Sequence, residues 1–502
     1  VWKVLFGASL TCILVILLTV EPSGKPEVVV PKEQSSTLPR TTFVHLFEWK
    51  WDDIAQECDS FLGPRGFAAV QISPPNEHAV IPEQGFPWWQ RYQPVSYELV
   101  SRSGDRTQLT HMINRCHEAG VEVYVDAVIN HMAAEESGTG SAGTRFTKYH
   151  YPGLYQRKDF HTCRHPIDYN DRDTVINCEL VGLPDLNTGS TYVRDRIVEY
   201  LADLVSLKVD GFRVDAAKHI HTNDVNAIVR SLNSKVDPDP YIFQEVLDPG
   251  YEAVKKSEYY QNGDVIEAEY GRYLGEAFLG INGRNLSQLK TLGESWGLAP
   301  SDQSIVFVDN HDKQRGHGGG GNYLTYKDGT LYDLANIFML AFPYGYPMVM
   351  SSYEFSHPDQ GPPSDAHGQT RSIYRQGQLT CFREWKCEHR RQAIANMVGF
   401  RNYTASIFEL TDWWNSDRNQ IAFGRGYKGF VVLNRDAEPL TQRFKTSLPP
   451  GTYCNIIQSN LTRNGQACTV AEAEITVNQH GQFTATVEAM GAIAIYGGAK
   501  LK

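Results

Sequence analysis

Glu122–His131, EVYVDAVINH, is a short run rich in β-branched residues that ends in Asn130 and His131, with Asp126 inside it. The same form returns at Gly211–His219, GFRVDAAKH, which carries Arg213, Asp215, Lys218 and His219, and at Ile242–Val246, IFQEV, which carries Glu245. It returns again at Phe307–Asp312, FVDNHD, with Asn310, His311 and Asp312. Short apolar runs of this kind, separated by segments of helical periodicity, are the mark of βα units and a parallel sheet.

Eight such runs can be counted: Thr42–Phe47, Ala68–Ser73, Glu122–Ile129, Gly211–Asp215, Tyr241–Gln244, Val265–Tyr270, Ile305–Asp309 and Pro347–Ser351. Between them lie helical segments such as Thr107–Ala119 and Tyr192–Leu207, the latter with Val193, Ile197, Tyr200, Leu201 and Leu204 on one face. Eight strands predict an α/β fold, a closed (β/α)8 TIM barrel over 41–129 and 187–403. More than 80 residues separate Ile129 from Gly211, too many for a loop and one helix, so 130–186 is read as an inserted subdomain. After Tyr403 the rhythm changes, and Ile421–Gly424, Gly429–Asn434, Phe483–Glu488 and Ala492–Tyr496 predict a C-terminal antiparallel β-sandwich over 404–502. The glycine-rich stretch Gly316–Gly321 falls between the seventh strand and its helix.

The 502 residues carry a formal charge of −11 and no long basic block, which excludes a nucleic-acid footprint and leaves neutral polymers as substrates. Aromatic residues make up 11%, enough to supply stacking surfaces for flat ligands. Lys3 followed by the apolar run Val4–Val20 reads as a secretory signal, with an uncleaved membrane anchor as the rival reading. Pro22, Pro26, Pro31 and Pro39 make the rest of 1–40 a linker. One cysteine, Cys12, lies in the apolar run. The other eight imply disulfides in a secreted, extracellular protein, with local pairs Cys163–Cys178, Cys381–Cys387 and Cys454–Cys468 and the remaining pair Cys58–Cys116. Metal ligation is the alternative, although no CxxC pair is present. Sequons at Asn285, Asn402 and Asn460 are compatible with secretion.

In a barrel, polar residues at the C-terminal strand ends share one bowl. A lone Asp there is more often a turn or cap residue, and lone histidines more often satisfy hydrogen bonds. Acids on three strands, with histidines and an arginine beside them, are instead what glycosidic cleavage demands: one carboxyl to protonate the leaving oxygen and one carboxylate to attack or guide water. Neighbouring negative charge would raise the acid's pKa, and Arg213 would keep Asp215 ionised. Asp309 is read as structural.

VDAVINH, GFRVDAAKH, the QEV segment and VDNHD resemble the four signature regions of the α-amylase family of retaining glycoside hydrolases, in order and spacing. HLFEWKWDDIAQEC, VQISPPNE, PWWQRYQPVSY, DNHDKQRGHG and the CEHR segment narrow the resemblance to the animal-type members, over about His45 to Tyr496. The resemblance implies endo-acting hydrolysis of α-1,4 bonds in starch, glycogen and malto-oligosaccharides by a monomer. Asp215 would be the nucleophile, Glu245 the acid/base and Asp312 the transition-state stabiliser. Substrate contacts would come from Trp88, Trp89, Tyr92, His131, Arg213, Lys218, His219 and His311, and at least one of the adjacent tryptophans would be exposed if their segment is extended. A structural Ca²⁺ would be held by the side chains of Asn130 and Asp185 and by backbone carbonyls of Ile176 and His219.

Two departures from the family stand out. The cysteine common at the position of Val100, and its partner in the subdomain, are missing. Chloride in related members is held by two arginines and an asparagine; Arg213 and Asn310 match, but Met348 stands in the remaining arginine position. An α-glucosidase, sucrose hydrolase or transglycosidase would use the same three acids and would differ in product pattern. A non-catalytic amylase-like ectodomain, anchored by Val4–Val20, would have no need of all three.

Overall fold

The computed structural model describes residues 39–502. The apolar run Val4–Val20, Cys12 and nearly all of the proline-containing stretch before Arg40 lie outside the described residues. Among the described residues no helix is long and apolar enough to cross a membrane.

Eight parallel strands close on themselves: β1 (Phe43–Leu46), β2 (Ala69–Ile72), β3 (Glu122–Ala127), β4 (Gly211–Val214), β5 (Tyr241–Gln244), β6 (Asp264–Ile266), β7 (Ser304–Val306) and β8 (Tyr346–Ser351). β8 pairs with both β7 and β1, which completes the barrel. The lower interior is an aromatic layer in which Phe43, Tyr124, Tyr241, Phe243 and Tyr346 meet mostly edge to face or tilted. Gly211 makes room for it, since a Cβ there would lie 3.0 Å from the Tyr124 ring and 2.7 Å from the Tyr241 carbonyl. Met348 belongs to this apolar layer, in register with Phe43. Above it the inward positions turn polar, with Asp126 on β3 in register with Arg213 on β4.

The helices around the barrel follow from their apolar stripes. They include α1 (Trp51–Glu57), α2 (Arg106–Glu118), α3 (Arg172–Asn177), α4 (Thr191–Ser206), α5 (Thr222–Asn233), α6 (Ala268–Leu279), α7 (Thr330–Ala341) and α8 (Gln392–Thr404). In α4 the predicted face, Val193, Ile197, Tyr200, Leu201 and Leu204, is buried. Asp105 starts α2 with a reciprocal capping box to Gln108. Several predicted strands are cut short: Glu122–Ile129 is strand only to Ala127, Ile305–Asp309 only to Val306, and Val265–Tyr270 only to Ile266. The Glu267 side chain accepts from the Glu269 N–H at 3.2 Å, caps α6 and turns the rest of the run into helix.

Between β3 and α4 the chain makes a hairpin of Ser137–Thr139 with Arg145–Thr147 and the short helix α3, tied by Cys163–Cys178. The other disulfides are Cys381–Cys387 and Cys454–Cys468, the local pairs expected from spacing, and Cys58–Cys116, the pair that remained. Asn402 is buried in α8, where it accepts from Thr41 and donates to the Gly66 carbonyl, so this sequon is not presented as a glycan acceptor.

After α8 a four-stranded antiparallel sheet runs in the order Thr411–Asn415, Gln420–Arg425, Gly429–Asn434, Gly491–Tyr496, accompanied by two antiparallel strand pairs. Its two faces alternate with period two. Ala422, Phe430, Val432 and Ile495 face Phe444 and Phe483, while Ile421, Phe423 and Val431 join Phe338 of α7 and Phe400 of α8 in one cluster. Arg425, 1% exposed, donates to the carbonyls of Ala341, Thr404 and Ile407, which stitches this sheet to the ends of α7 and α8.

Candidate active site

At the C-terminal rim of the barrel opens a cleft of about 830 Å³. Asp215, Glu245 and Asp312 line it, together with Trp88, Trp89, Tyr92, His131, Lys218, His219 and His311. The strand ends thus bring together the three predicted acids and seven of the eight residues expected to touch substrate.

Arg213 is the exception. It is 1% exposed and lies beneath the acids. Its Nη1 donates to Asp126 Oδ1 at 2.5 Å and to Asp215 Oδ1 at 2.8 Å. Its Nη2 stands 3.0 Å from Glu245 Oε2, an ion contact without hydrogen-bond alignment. One guanidinium therefore serves three carboxylates, where sequence reasoning paired it with Asp215 alone. Even so, burial outweighs Arg213 and pushes the Asp215 carboxyl up to about 6, with Glu245 adding repulsion. Burial likewise pushes Asp126 up to about 7 against the pull of Arg213.

The backbone after Asp215 is unusual. Ala216 has φ 48° and ψ 31°, a left-handed conformation that costs about 1–3 kcal/mol for a non-glycine residue. In that conformation its N–H donates to Glu245 Oε2 at 2.8 Å. Both acids are therefore held by one oxygen: Asp215 through Oδ1 and Glu245 through Oε2, leaving Asp215 Oδ2 and Glu245 Oε1 free to react.

The segment Pro87–Tyr92 is not extended. Trp88–Tyr92 form a 3-10 turn, so Trp88 is buried while Trp89 is partly exposed, and their indoles donate to the Pro358 carbonyl and Asp359 Oδ1. Arg91 anchors this turn from inside, in a fully buried pair with Glu48 at 2.9 Å and with donations to Pro74, Ser101 and Ser103. Tyr92 stacks on His311 at 5.2 Å, and its hydroxyl donates to Asp126 Oδ2. Burial pulls His311 well below the usual imidazole range, so it is neutral. Both nitrogens of His131 already have protein partners, the Tyr92 carbonyl at 2.9 Å and Asn130 Nδ2 at 3.3 Å, so a hydrogen bond from His131 to a sugar requires exchanging one of them.

Asn310 lies off the cleft, its Oδ1 taken by the Lys313 N–H at 2.8 Å. Arg213 serves carboxylates and Met348 belongs to the apolar layer, so the third of the chloride-site positions supplies no positive charge. The calcium positions do fit a hard cation. Asn130 and Asp185 are joined by the bridge between His131 and Asp185 and by the Leu186 N–H to the Asn130 carbonyl, 2.9 Å. His219 Nδ1 meets the Val175 carbonyl beside Ile176 at 2.8 Å. Asp185 Oδ2 pairs with His161 at 2.6 Å, but Oδ1 is buried without a partner, an orphan that a cation would satisfy. Among the described residues no cluster of three His, Cys, Asp or Glu is placed for a metal, as expected for a site built from one acid, one amide and carbonyls.

Sequence reasoning named Asp126 without giving it a role, and missed Glu252, Tyr169 and Lys313. Lys218 Nζ contacts Glu252 and the Leu247 carbonyl and sits 4.9 Å from the Tyr169 ring centre, while Lys313 Nζ is pinned on the carbonyls of Gly318 and Gly320. These partners are remote in sequence or lie in loops without periodicity; only Asp126, inside a strand of otherwise apolar residues, carried a signal.

Residues 87–361 match the family model described as "Alpha amylase, catalytic domain", and residues 412–498 the model "Alpha amylase, C-terminal all-beta domain". An α-amylase of Tribolium castaneum is 47% identical over 475 residues, covering 92% of this chain and 95% of its own. The pancreatic α-amylase of Sus scrofa is 43% identical over 501 residues, covering 94% and 96%. The crystal structure of a variant of α-amylase I from Eisenia fetida in complex with maltohexaose superposes with a TM-score of 0.85 at 40% identity, covering 91% of this chain and 97% of that one.

Proposed function

The chain belongs to the α-amylase family of glycoside hydrolases, and from that premise we propose that it cleaves internal α-1,4-glucosidic bonds of starch and glycogen with retention of configuration. The single observation that carries this reading is the Asp215–Arg213–Glu245 arrangement, in which one buried guanidinium spans two carboxyls at the edge of an open cleft. Retaining enzymes place their two carboxyls about 5–5.5 Å apart, too close to seat a water between them, and a shared guanidinium favours that spacing.

In this reading Asp215 Oδ2 attacks the anomeric carbon while Glu245 Oε1 gives its proton to the departing glycosidic oxygen. The C–O bond breaks and a glycosyl ester forms on Asp215. Glu245 then takes a proton from water, whose oxygen displaces Asp215 from the same face that the leaving group vacated. Asp312 stabilises the positive charge that develops on the ring, beside the neutral His311 at 3.5 Å. Trp88, Trp89 and Tyr92 give the sugar an apolar wall.

The same reading takes 130–186 as a calcium-binding subdomain between the barrel segments 41–129 and 187–403. Asn130, Asp185 and the carbonyls of Ile176 and His219 would hold Ca²⁺, whose charge would stabilise the junction. Malto-oligosaccharides are the short substrates, and the four disulfides support an extracellular setting. The test is hydrolysis of soluble starch by the purified protein, with the first products followed by polarimetry or NMR. Mixed oligosaccharides of α configuration are expected; a β-anomeric first product, or release of glucose alone from chain ends, overturns the reading.

A further inference from the structure

Apolar side chains line the cleft in two places. One is the Trp88–Trp89–Tyr92 wall, where Trp88 and Tyr92 pack on His311 at the Asp312 side. The other lies beyond Glu245, in the loop that leaves β5. There Leu247 and Tyr251 line the cleft from the barrel side, and Leu180, Val181 and Tyr169 line it from the segment before α4.

Tyr251 is 76% exposed and Val181 87% exposed, two apolar side chains left in water at the rim of the cleft. The Tyr251 backbone is nevertheless fixed on both sides. The Gly250 N–H donates to Asp248 Oδ1 at 2.8 Å, Glu252 takes the Lys218 ammonium, and the Ala253 N–H donates to the Tyr169 carbonyl at 2.8 Å. A ring so exposed on a loop so tethered is presented to the cleft without being buried by the protein. Val181 stands in a left-handed conformation, φ 47°, disfavoured for a β-branched residue, which directs an unpartnered aliphatic group into the same space.

We propose that Tyr251 determines chain-length specificity: its ring is the platform on which a glucosyl unit of the departing chain stacks, with Val181 closing from the opposite wall. The proposal rests on the reading of Glu245 as proton donor, because the chain that accepts its proton departs over the loop following it. The C–H face of a glucopyranose is apolar and flat and matches an aromatic ring that keeps its hydroxyl in water. A neutral polymer is the ligand this part of the cleft fits.

The experiment uses the purified full chain with two substrates: reducing-end-labelled maltoheptaose, and an aryl α-maltotrioside whose departing group is a single phenol. For Tyr251→Ala, the ratio of kcat/KM on maltoheptaose to that on the aryl maltotrioside is expected to fall roughly two- to tenfold, as loss of one stacking contact implies. Cleavage of maltoheptaose should shift toward its reducing end, giving shorter departing fragments, and Tyr251→Phe and Tyr251→Trp should restore ratio and pattern. An active wild type whose ratio and pattern are unmoved by Tyr251→Ala overturns this assignment alone, as does failure of Tyr251→Phe to restore them. A wild type that cuts neither substrate overturns the functional reading and this assignment with it.

Discussion

Asp215 and Asp309 are two buried aspartates at barrel strand ends, and their surroundings give them opposite work. Asp215 keeps Oδ2 free toward the cleft, whereas Asp309 accepts from Gln314 at 2.7 Å and Tyr332 at 2.9 Å and is not among the residues that line this cleft. Asp215→Asn is expected to lower kcat on the order of 10⁴-fold or more with the melting temperature kept, as removal of an essential catalytic side chain does. Burial and Glu388 push the Asp309 carboxyl upward, and both of its oxygens accept hydrogen bonds away from the cleft, so Asn removes one acceptor and leaves the reacting groups untouched. Asp309→Asn should therefore keep kcat within the same order of magnitude and cost at most about 1–3 kcal/mol in a urea titration. The nucleophile must be ionised, and burial raises its pKa to about 6, so its carboxylate is present above that pH and lost as pH falls through it. An acid limb of kcat/KM near pH 6 is expected; a limb at pH 4 would mean that Arg213 dominates over burial.

At the scale of elements, β8 carries Met348 where the resemblance to chloride-binding members calls for an arginine, and a desolvated anion needs compensating positive charge. Activity on starch should persist after dialysis into chloride-free buffer, and NaCl should act no differently from NaNO₃ at equal ionic strength. A many-fold, saturable rise with chloride would refute this, and Met348→Arg should create such a rise. In the proposed reading Ca²⁺ held by Asn130 and Asp185 ties the segment between β3 and α4 to the barrel, so chelation is expected to lower the melting temperature. Ligand bound at a hundredfold over its Kd contributes about 3 kcal/mol, and an unchanged melt after exhaustive chelation would remove the calcium site. The strands were legible because β-branched runs end in polar groups, and the four polar ends, three of them with the predicted acids, were legible for the same reason. The end of β6 was not, because Glu267 works as a helix cap, which periodicity does not register. The turn at Trp88–Tyr92 was not either, since the Arg91–Glu48 pair that holds it joins residues 43 positions apart. The Asp215–Arg213 contact was foreseen from two residues on one strand face; the reach of Arg213 to Asp126 and Glu245 depends on neighbouring strands and appears only once the barrel is closed.

At the scale of the whole molecule, the C-terminal sheet and the barrel share one apolar cluster, with Ile421, Phe423 and Val431 packed among Phe338 and Phe400. Arg425 carries its charge into that boundary and spends it on three main-chain carbonyls, at the ends of α7 and α8 and in the turn beyond. Neither side of such a boundary can be finished without the other: a barrel alone would expose Phe338 and Phe400, and a sheet alone would expose Ile421 and Phe423 with a guanidinium lacking acceptors. For recombination, whether by a genome or by a protein engineer, the seam is therefore the wrong place to cut. A graft that exchanges the sheet between relatives has to carry α7 and α8 along with it, so this pair of modules is inherited as a single piece.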